Sequence, residues 1–203
     1  MKQTIIKLPP PQLKGKMSLE EAIAKRRSIR KYRSESLTLS QLSQILWSAQ
    51  GITGAGRLRA APSAGATYPL ELFVFVGRQA IEGLQAGIYH YDVDSHSLVL
   101  HWPGDLREEL ARAALDQGFI AKAPVDIIIC ALYSRTSYTY GRRGERYVHM
   151  EVGHVGENIH LQAVALSLAT VEVGAFDDEE VRKVLGVEEQ IKPLYIMPIG
   201  RLL

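Results

Sequence analysis

The spacing of apolar residues divides the chain into helices and strands that follow one another without strict alternation. Apolar residues recur at intervals of three and four over residues 39–50, the pattern of a helix with one buried face. A near-continuous apolar run over residues 125–132 is typical of a strand buried on both sides. Other β-rich or alternating segments predict strands at residues 70–76, 87–92, 97–102, 170–173 and 192–199. This mixture favours an α+β fold.

Capping residues mark where several helices begin. Ser18 with Glu21, and Thr38 with Gln41, have the spacing of capping boxes, so we expect helices to start at residues 19 and 39. The first of these is expected to run to about residue 27. Similar acidic signals predict shorter helices at residues 105–117 and 177–185.

The longest predicted helix spans residues 145–168 and is apolar on most sides. Such a helix lies at the centre of a fold or at an obligate interface between subunits. His149 and His154 stand five residues apart on it, so they diverge and do not form a metal-binding pair. We therefore expect no metal site, and we expect these histidines and His160 to be core or interface residues.

Composition limits the class of protein. The chain has 203 residues, 46% hydrophobic and 23% charged, as is usual for one globular domain. We expect that domain at residues 18–203, after an extended arm of residues 1–17 in which three consecutive prolines prevent a helix. The net charge of +2 is too small to argue for nucleic acid or membranes as partners. The single cysteine, Cys130, fits packing in a reducing, cytoplasmic compartment.

A cationic stretch follows the first predicted helix, and we call residues 26–33 the arginine segment. Five of its eight residues are Arg or Lys, and the C-terminal end of a helix favours positive charge. A guanidinium presents a fork of donors that fits a phosphate or a ring carbonyl edge. The segment is therefore either an anion site built from Arg26, Arg27, Ser28 and Arg30, or a solvated helix end.

Two further stretches suggest contact with a planar or anionic ligand. Residues 62–67, which we call the glycine loop, are small enough for their backbone to approach a ligand closely. The glycines before it do not form a dinucleotide fingerprint, because a helix precedes them and a strand follows. Tyrosine and arginine alternate over residues 133–147, which indicates either stacking on a ligand or a surface loop that closes over a neighbouring subunit.

The chain has no nucleophile elbow, P-loop, zinc-ligand spacing or paired-carboxylate motif, so it is equipped to hold a cofactor that performs the chemistry. Residues 26–32 resemble the N-terminal signature of the nitroreductase superfamily of FMN flavoproteins. Further blocks resemble its SagB-type dehydrogenase branch, which includes the azoline oxidases, at residues 62–71, 140–147, 151–154 and 173–178. The blocks keep their expected order and span residues 18–201.

This resemblance implies an intertwined α+β homodimer, with a central, mostly antiparallel sheet flanked by helices and two FMN sites at the interface. Arg26, Arg27 and Ser28 would hold the FMN phosphate and ribityl chain, and Arg201 would help at the phosphate. Arg30 would face the pyrimidine edge of the flavin, where positive charge stabilises the reduced ring.

The remaining ring contacts would come from two loops, by the same resemblance. Backbone groups of Val173 and Gly174 would approach the flavin near N5, and the long helix would form the core of the dimer. The glycine loop would line the isoalloxazine, from the partner subunit, through Pro62, Ser63, Ala64 and Gly65.

The sequence departs from the azoline oxidases at one pair of residues. Those enzymes carry Lys-Tyr before their Gly-x-Arg-Gly block as candidate proton-transfer residues, whereas this chain has Thr139 and Tyr140. Tyr140 is the candidate catalytic acid or base, but Thr139 cannot replace an ammonium group. The departure puts peptide azoline oxidation in doubt.

The resemblance predicts an FMN oxidoreductase that takes hydride from NAD(P)H and passes electrons to a small organic acceptor. One alternative is a dehydrogenase of a heterocycle whose flavin is reoxidised by oxygen. Another is a flavin-binding sensor or storage protein without turnover. Nucleic-acid binding through Arg57, Arg59 and residues 142–146 is disfavoured by the small net charge.

Overall fold

The computed structural model of the chain describes residues 4–203, and a seven-stranded antiparallel sheet forms its centre. The first three residues of the expected arm lie outside the described part. The strands are β1 (Ile5–Lys7), β2 (Leu70–Val76), β3 (Gly87–Asp92), β4 (Ser97–Pro103), β5 (Val125–Leu132), β6 (Leu168–Ala169) and β7 (Ile191–Arg201). Their order in the sheet is β1-β4-β3-β2-β5-β7-β6, and every pair is antiparallel. The α+β expectation is confirmed.

Seven α-helices in residues 4–203 cover the sheet. They are α1 (Leu19–Lys25), α2 (Leu39–Gln50), α3 (Arg107–Ala113), α4 (Phe119–Lys122), α5 (Tyr133–Tyr140), α6 (Arg143–Ala165) and α7 (Asp178–Leu185). None of them is long and apolar enough to cross a membrane. Capping works as expected at α2, where Thr38 accepts from the Gln41 amide and the Gln41 side chain accepts from Thr38.

The sheet has a core on each face. Leu72 and Val74 of β2 point toward α2 and α6, whereas Phe73 and Phe75 between them point toward α3, α4 and α7. Strand β5 is buried on both sides, as its apolar run predicts. Cys130 is fully buried there, and burial raises the pKa of its thiol. It therefore packs as a small apolar side chain.

The structure departs from the sequence prediction at several elements, among them the long helix, which spans Arg143–Ala165 and not residues 145–168. Helix α1 ends at Lys25, because Arg26 has an extended ψ of 126° and only its N–H joins the helix. The helix expected at residues 105–117 is shorter and spans Arg107–Ala113, since Leu115 and Asp116 have positive φ angles of 57° and 58° that are not helical. Residues 170–173 are not a strand: β6 comprises only Leu168–Ala169. Residues 133–140 form a helix and not a loop.

Helix α5 has little intrinsic support from its sequence. It contains the run Tyr-Ser-Arg-Thr-Ser-Tyr-Thr-Tyr, whose residue types have poor helix propensity. It forms because it packs against the start of α6, and Gly144 lets the two helices approach closely: a Cβ there would lie 2.8 Å from the backbone of Ser137. Tertiary packing outweighs propensity here.

Candidate functional site

The arginine segment is fixed by its backbone to buried parts of the fold. The carbonyl oxygen of Arg27 accepts a hydrogen bond from Nε2 of His160, on α6, at 3.0 Å. Two residues later, the Ile29 amide donates to the carbonyl of Thr170 at 2.9 Å. His160 and Thr170 are each only 1% exposed. The backbone of the arginine segment is therefore held in place by buried residues.

The C-terminal end of the arginine segment is hydrogen-bonded to the last residue of β7. The Arg33 amide donates to the Arg201 carbonyl at 3.1 Å, so the last residue of β7 lies beside the arginine segment. Gly200 makes this possible, because a Cβ there would come within 2.7 Å of the Tyr32 ring. The Arg201 guanidinium donates to the Ser36 carbonyl at 2.9 Å. The structure thus places Arg201 beside the C-terminal end of the arginine segment, where its guanidinium also lies 3.4 Å from the Glu35 carboxylate.

The arginine side chains lie at the surface, and the Arg27 guanidinium folds back to donate to the carbonyl oxygens of Ala24 and Arg26 at 3.2 and 2.6 Å. Arg27, Ser28 and Arg30 are exposed and Arg26 is partly exposed. Within residues 4–203, no carboxylate oxygen lies within 4.0 Å of a side-chain nitrogen of these three arginines. The Arg30 guanidinium lies 5.8 Å from the centre of the Phe119 ring. Such cations on a fixed backbone suit an anionic ligand.

Val173 and Gly174 lie on the same side of the fold. Val173 exchanges two backbone hydrogen bonds with Ile196 of β7, at 2.9 and 3.0 Å. Gly174 is exposed, and a Cβ there would lie 3.4 Å from the Tyr195 ring. The segment that contains them begins at Thr170, which binds the arginine segment, and Thr170 Oγ1 has no hydrogen-bond partner in the described residues. These residues belong to one half of the candidate site.

The glycine loop forms the other half. Its turn is held by the Ser63 hydroxyl, which accepts from the Tyr68 amide at 3.0 Å, and by a 2.8 Å hydrogen bond between Thr67 and Thr136 of α5. Gly65 has a φ of +60°, which glycine adopts without strain. Pro62 and Gly65 are exposed, whereas Ser63 and Ala64 are partly covered. The loop therefore presents its tip to the outside of this chain.

Tyr140, the predicted acid or base, lies directly against the glycine loop. A Cβ at Gly65 would come within 2.7 Å of the Tyr140 hydroxyl oxygen. The Tyr140 ring also packs edge-on against Tyr147 of α6, with ring centres 5.1 Å apart. Tyr140 is the last residue of α5, and Gly141 follows it with a φ of +56°. The structure brings together the loop and the candidate proton donor.

The two halves lie on opposite flanks of α6. Ser63 of the glycine loop lies near Glu151, whereas His160 binds the arginine segment. These α6 residues are nine positions apart, which corresponds to about 13 Å along the helix and about 180° around it. Within one chain, therefore, α6 separates the glycine loop from the arginine segment.

Glu151 begins one of the motif blocks of the sequence analysis, which gave it no role, and it is a buried carboxyl group. It is 3% exposed, and its Oε1 has no hydrogen-bond partner in the described residues. Burial raises its pKa, and the Ser63 hydroxyl and Gln50 amide offset this only in part. Apolar residues surround Glu151 on the buried side of α6, so their spacing does not reveal that its carboxyl group is buried.

His160 and Glu172 form a buried ion pair that sequence reasoning also missed. Nδ1 of His160 lies 2.8 Å from Glu172 Oε1. Burial acts to lower the pKa of His160, but its hydrogen bonds to Glu172 and the Arg27 carbonyl outweigh this, and the pKa is raised. The pKa of Glu172 lies below its usual range, because His160 offsets the effect of burial.

Glu157 completes a group of three side chains. Ligand atoms of Glu157, His160 and Glu172 all lie within 4.8 Å of one another. His149 and His154, which were expected to be core or interface residues, are both exposed in the single chain and so are not core residues, and His149 shares a 2.6 Å hydrogen bond with the Tyr133 hydroxyl. The absence of a metal site stays a prediction.

A polar cleft of about 540 Å³ lies behind the glycine loop. On its wall, Glu71 of β2 binds His90 at 2.6 Å and Arg135 at 2.5 Å. The Arg59 guanidinium lies 4.3 Å from the centre of the Tyr68 ring. Because Glu71 pairs with both His90 and Arg135, its negative charge is neutralised within the cleft.

Comparison with solved structures defines the class of fold. A crystal structure described as a nitroreductase from Ralstonia eutropha JMP134 matches 98% of this chain and 90% of its own, with a TM-score of 0.84 and 28% identity. The NADPH:FMN oxidoreductase of Vibrio harveyi, complexed with NAD+, matches 90% of this chain and 68% of its own, with a TM-score of 0.64 and 20% identity. The fold is that of the nitroreductases.

Sequence comparison gives the family. The model of the nitroreductase family matches residues 23–201, and the chain belongs to this family. MJ1384 of Methanocaldococcus jannaschii, named as a nitroreductase, is 50% identical over 91% of both chains. The microcin B17-processing protein McbC of Escherichia coli is 26% identical over 81% of this chain and 62% of its own. The protein is therefore an oxidoreductase of the nitroreductase family.

Proposed function

We propose that this oxidoreductase binds FMN and transfers electrons from NAD(P)H to a small organic acceptor. The observation that carries the proposal is the arginine segment, whose backbone is fixed at Arg27 and Ile29 while Arg26, Arg27 and Arg30 lie at the surface without carboxylate partners in the described residues. A fixed cationic surface of this kind fits a phosphate. The FMN-dependent oxidoreductase among the structural neighbours supports the choice of cofactor.

Each predicted residue has a role in this proposal. Arg26, Arg27 and Ser28 hold the phosphate and ribityl chain, assisted by Arg201, while Arg30 faces the pyrimidine edge of the ring. The bound flavin supplies the redox chemistry, accepting and donating hydride at N5. The protein orients the ring with the backbone of Val173 and Gly174 and offers a proton at the Tyr140 hydroxyl.

The proposed site is shared by two copies of the chain. The glycine loop and the arginine segment lie on opposite flanks of α6, so the loop that completes one flavin site comes from a second subunit. The outer side of α6 is available for this contact, since Met150, Gly153, His154 and Glu157 are exposed in the single chain. Exposed large apolar side chains such as Met150 and Leu19, of neighbouring α1, favour association.

FMN binding and reduction test the proposal directly. The purified protein is expected to be yellow, or to become so when the apoprotein is titrated with FMN. Anaerobic stopped-flow mixing with NADH and NADPH is expected to bleach the flavin, and a nitroaromatic or quinone acceptor is expected to restore its absorbance. Protein that takes up no added FMN would refute the proposal.

A second candidate is an oxygen-coupled dehydrogenase of a heterocycle, which the similarity to McbC favours. Thr139 at the position of the lysine weighs against it. Flavin that is bound but reduced by neither nicotinamide would favour this candidate.

A flavin-binding protein without turnover would show no steady-state consumption of NAD(P)H. Nucleic-acid binding through Arg57 and Arg59 finds no support, because Arg57 pairs with Asp94 and Arg59 stacks on Tyr68.

A further inference from the structure

His160 is buried beneath the arginine segment and is hydrogen-bonded at both ring nitrogens. Its two ring nitrogens contact the Arg27 carbonyl oxygen at 3.0 Å and a Glu172 carboxylate oxygen at 2.8 Å. A carbonyl oxygen and an ionised carboxylate can only accept hydrogen bonds, so each ring nitrogen must carry a proton to satisfy its partner. The geometry therefore requires the imidazolium form.

We propose that protonated His160, oriented by Glu172, positions the arginine segment for the flavin phosphate, and that loss of its proton releases FMN. The inference rests on the proposed FMN function and extends it to residues that do not touch the cofactor. His160 and Glu172 are positioning residues: they act through the carbonyl of Arg27 and not on the ligand itself.

Deprotonation breaks the arrangement because a neutral imidazole has one N–H for two acceptors. Either the Arg27 carbonyl loses its donor and the segment is freed from α6, or the partly buried Glu172 carboxylate loses its partner. A positive charge beneath the phosphate site is also lost. Each consequence weakens binding of an anion at Arg26 and Arg27.

The groups that face His160 set the direction of the pH effect. Glu172 and Glu157 provide negative charge, and Arg26 provides opposing positive charge. The pKa of His160 is raised overall, so the imidazolium persists above the ordinary histidine pKa of about 6.5 and is lost as the pH rises through the raised value. The second ionisation of a phosphate monoester, near pH 6, acts in the opposite direction and at lower pH.

The first measurement is nitrogen-15 NMR of the histidine rings in the full chain, between pH 5.5 and 9, without FMN. His160→Gln assigns the resonance, and the measurement itself is made on the unaltered protein, so it does not depend on how a variant folds. We expect both His160 nitrogens to be protonated at low pH, with a titration midpoint above about 6.5. A midpoint at or below that value would overturn the inference.

The second measurement is FMN titration of the apoprotein by fluorescence quenching at pH 6.5 to 9. For the unaltered chain we expect the dissociation constant to rise on the order of tenfold across the His160 midpoint. Glu172→Gln should move that rise to lower pH, because it removes the charge that favours imidazolium. His160→Gln should bind weakly at every pH, and His101→Gln, at an exposed position on β4 outside the proposed site, should match the unaltered chain.

Three outcomes count against the inference in distinguishable ways. FMN binding with the same pH dependence in the unaltered chain and His160→Gln overturns the positioning role but leaves the proposed function intact. Protein that binds no FMN at any pH overturns both. A His160 resonance that shifts on addition of micromolar Zn²⁺, and reverts with EDTA, shows a metal site at Glu157, His160 and Glu172 and replaces the ion-pair interpretation.

Discussion

Gly65 and Tyr140 touch in the structure: a Cβ added to Gly65 would lie 2.7 Å from the Tyr140 hydroxyl oxygen and 3.3 Å from its ring. The two residues are 75 positions apart in sequence, and both were expected at the flavin from separate motifs. Their contact means that the glycine loop and the candidate proton donor move as one unit. Any change in the loop is therefore expected to displace Tyr140.

Gly65→Ala tests this contact. A non-glycine residue at a φ of +60° costs about 1–2 kcal/mol, and the added methyl group must also push the Tyr140 side chain away. We expect lower thermal stability together with reduced FMN affinity and turnover. Gly83→Ala is the control, because Gly83 has a similar φ of +76° but nothing within 4 Å of a Cβ. Equal effects of the two variants on turnover would contradict the prediction.

Arg26→Ala is expected to weaken FMN binding without unfolding the protein. A charge-assisted hydrogen bond contributes about 1.5–3 kcal/mol, so the dissociation constant should rise roughly 10- to 100-fold. Riboflavin, which lacks the phosphate, should bind the variant and the unaltered chain alike. Arg57→Ala removes the same charge from an exposed residue paired with Asp94 and should leave FMN binding unchanged.

The parts of the fold that the sequence predicts well are those with local signals. Strands β2 to β5 follow from apolar runs, and α2 follows from its capping box at Thr38. The short helix α7 begins at Asp177 and ends at Gly186, which has the left-handed φ of +65° that such a helix end favours. In each case the residues that define the element are neighbours in the chain.

The parts that the sequence does not predict depend on contacts between distant residues. Helix α5 needs the surface of α6 to form, and its own residues favour other conformations. The ion pair of His160 and Glu172 forms only because the chain reverses after α6, which brings residues 12 positions apart into contact. For the same reason Glu151 could not be recognised as a buried acid from its spacing alone.

Asp126→Asn is expected to stabilise the protein, and more so as the pH rises. Asp126 is fully buried on β5, neither carboxylate oxygen has a hydrogen-bond partner in the described residues, and burial raises its pKa well above the ordinary value. Its folded pKa thus exceeds the unfolded value of about 3.9, so stability falls as pH rises from there through the folded pKa. Asparagine cannot ionise, so the variant does not lose this stability as the pH rises.

Thermal unfolding of both chains between pH 4 and pH 8 checks the prediction. The difference in melting temperature should be smallest at pH 4 and should grow as the pH rises toward 8. Asp116→Asn, an exposed acid, controls for the general loss of a negative charge. A difference that stays constant with pH would show that Asp126 is not responsible.

Tyr140→Phe separates binding from catalysis. The substitution keeps the ring that packs on Tyr147 but removes the hydroxyl, so FMN affinity and stability should change little. If the hydroxyl donates a proton to the acceptor, turnover should fall about 100-fold or more, while reduction of the flavin by NAD(P)H should keep its rate. Tyr138 is 96% exposed on the same helix, so Tyr138→Phe should change neither FMN affinity nor turnover. Unchanged turnover in Tyr140→Phe would remove Tyr140 from the mechanism.

Mixing two defective chains tests whether each flavin site is shared between subunits. Arg26→Ala damages the arginine segment and Gly65→Val damages the glycine loop, so homodimers of either variant contain only damaged sites. In a heterodimer of the two, one site combines the intact segment of one chain with the intact loop of the other. Heterodimers isolated with two affinity tags should therefore bind about one FMN per dimer with normal affinity and recover about half of the reductase activity.

The reciprocal mixture makes the test decisive. If Arg26→Ala and Gly65→Val are placed in one chain and paired with an unaltered chain, a shared site leaves every pocket with one defect, so FMN affinity and activity should stay low. If instead each site were built within a single chain, this second heterodimer would retain half of its activity and the first would recover none. The two arrangements thus predict opposite results from the same two substitutions, because α6 places the two halves of the site on opposite sides of each subunit.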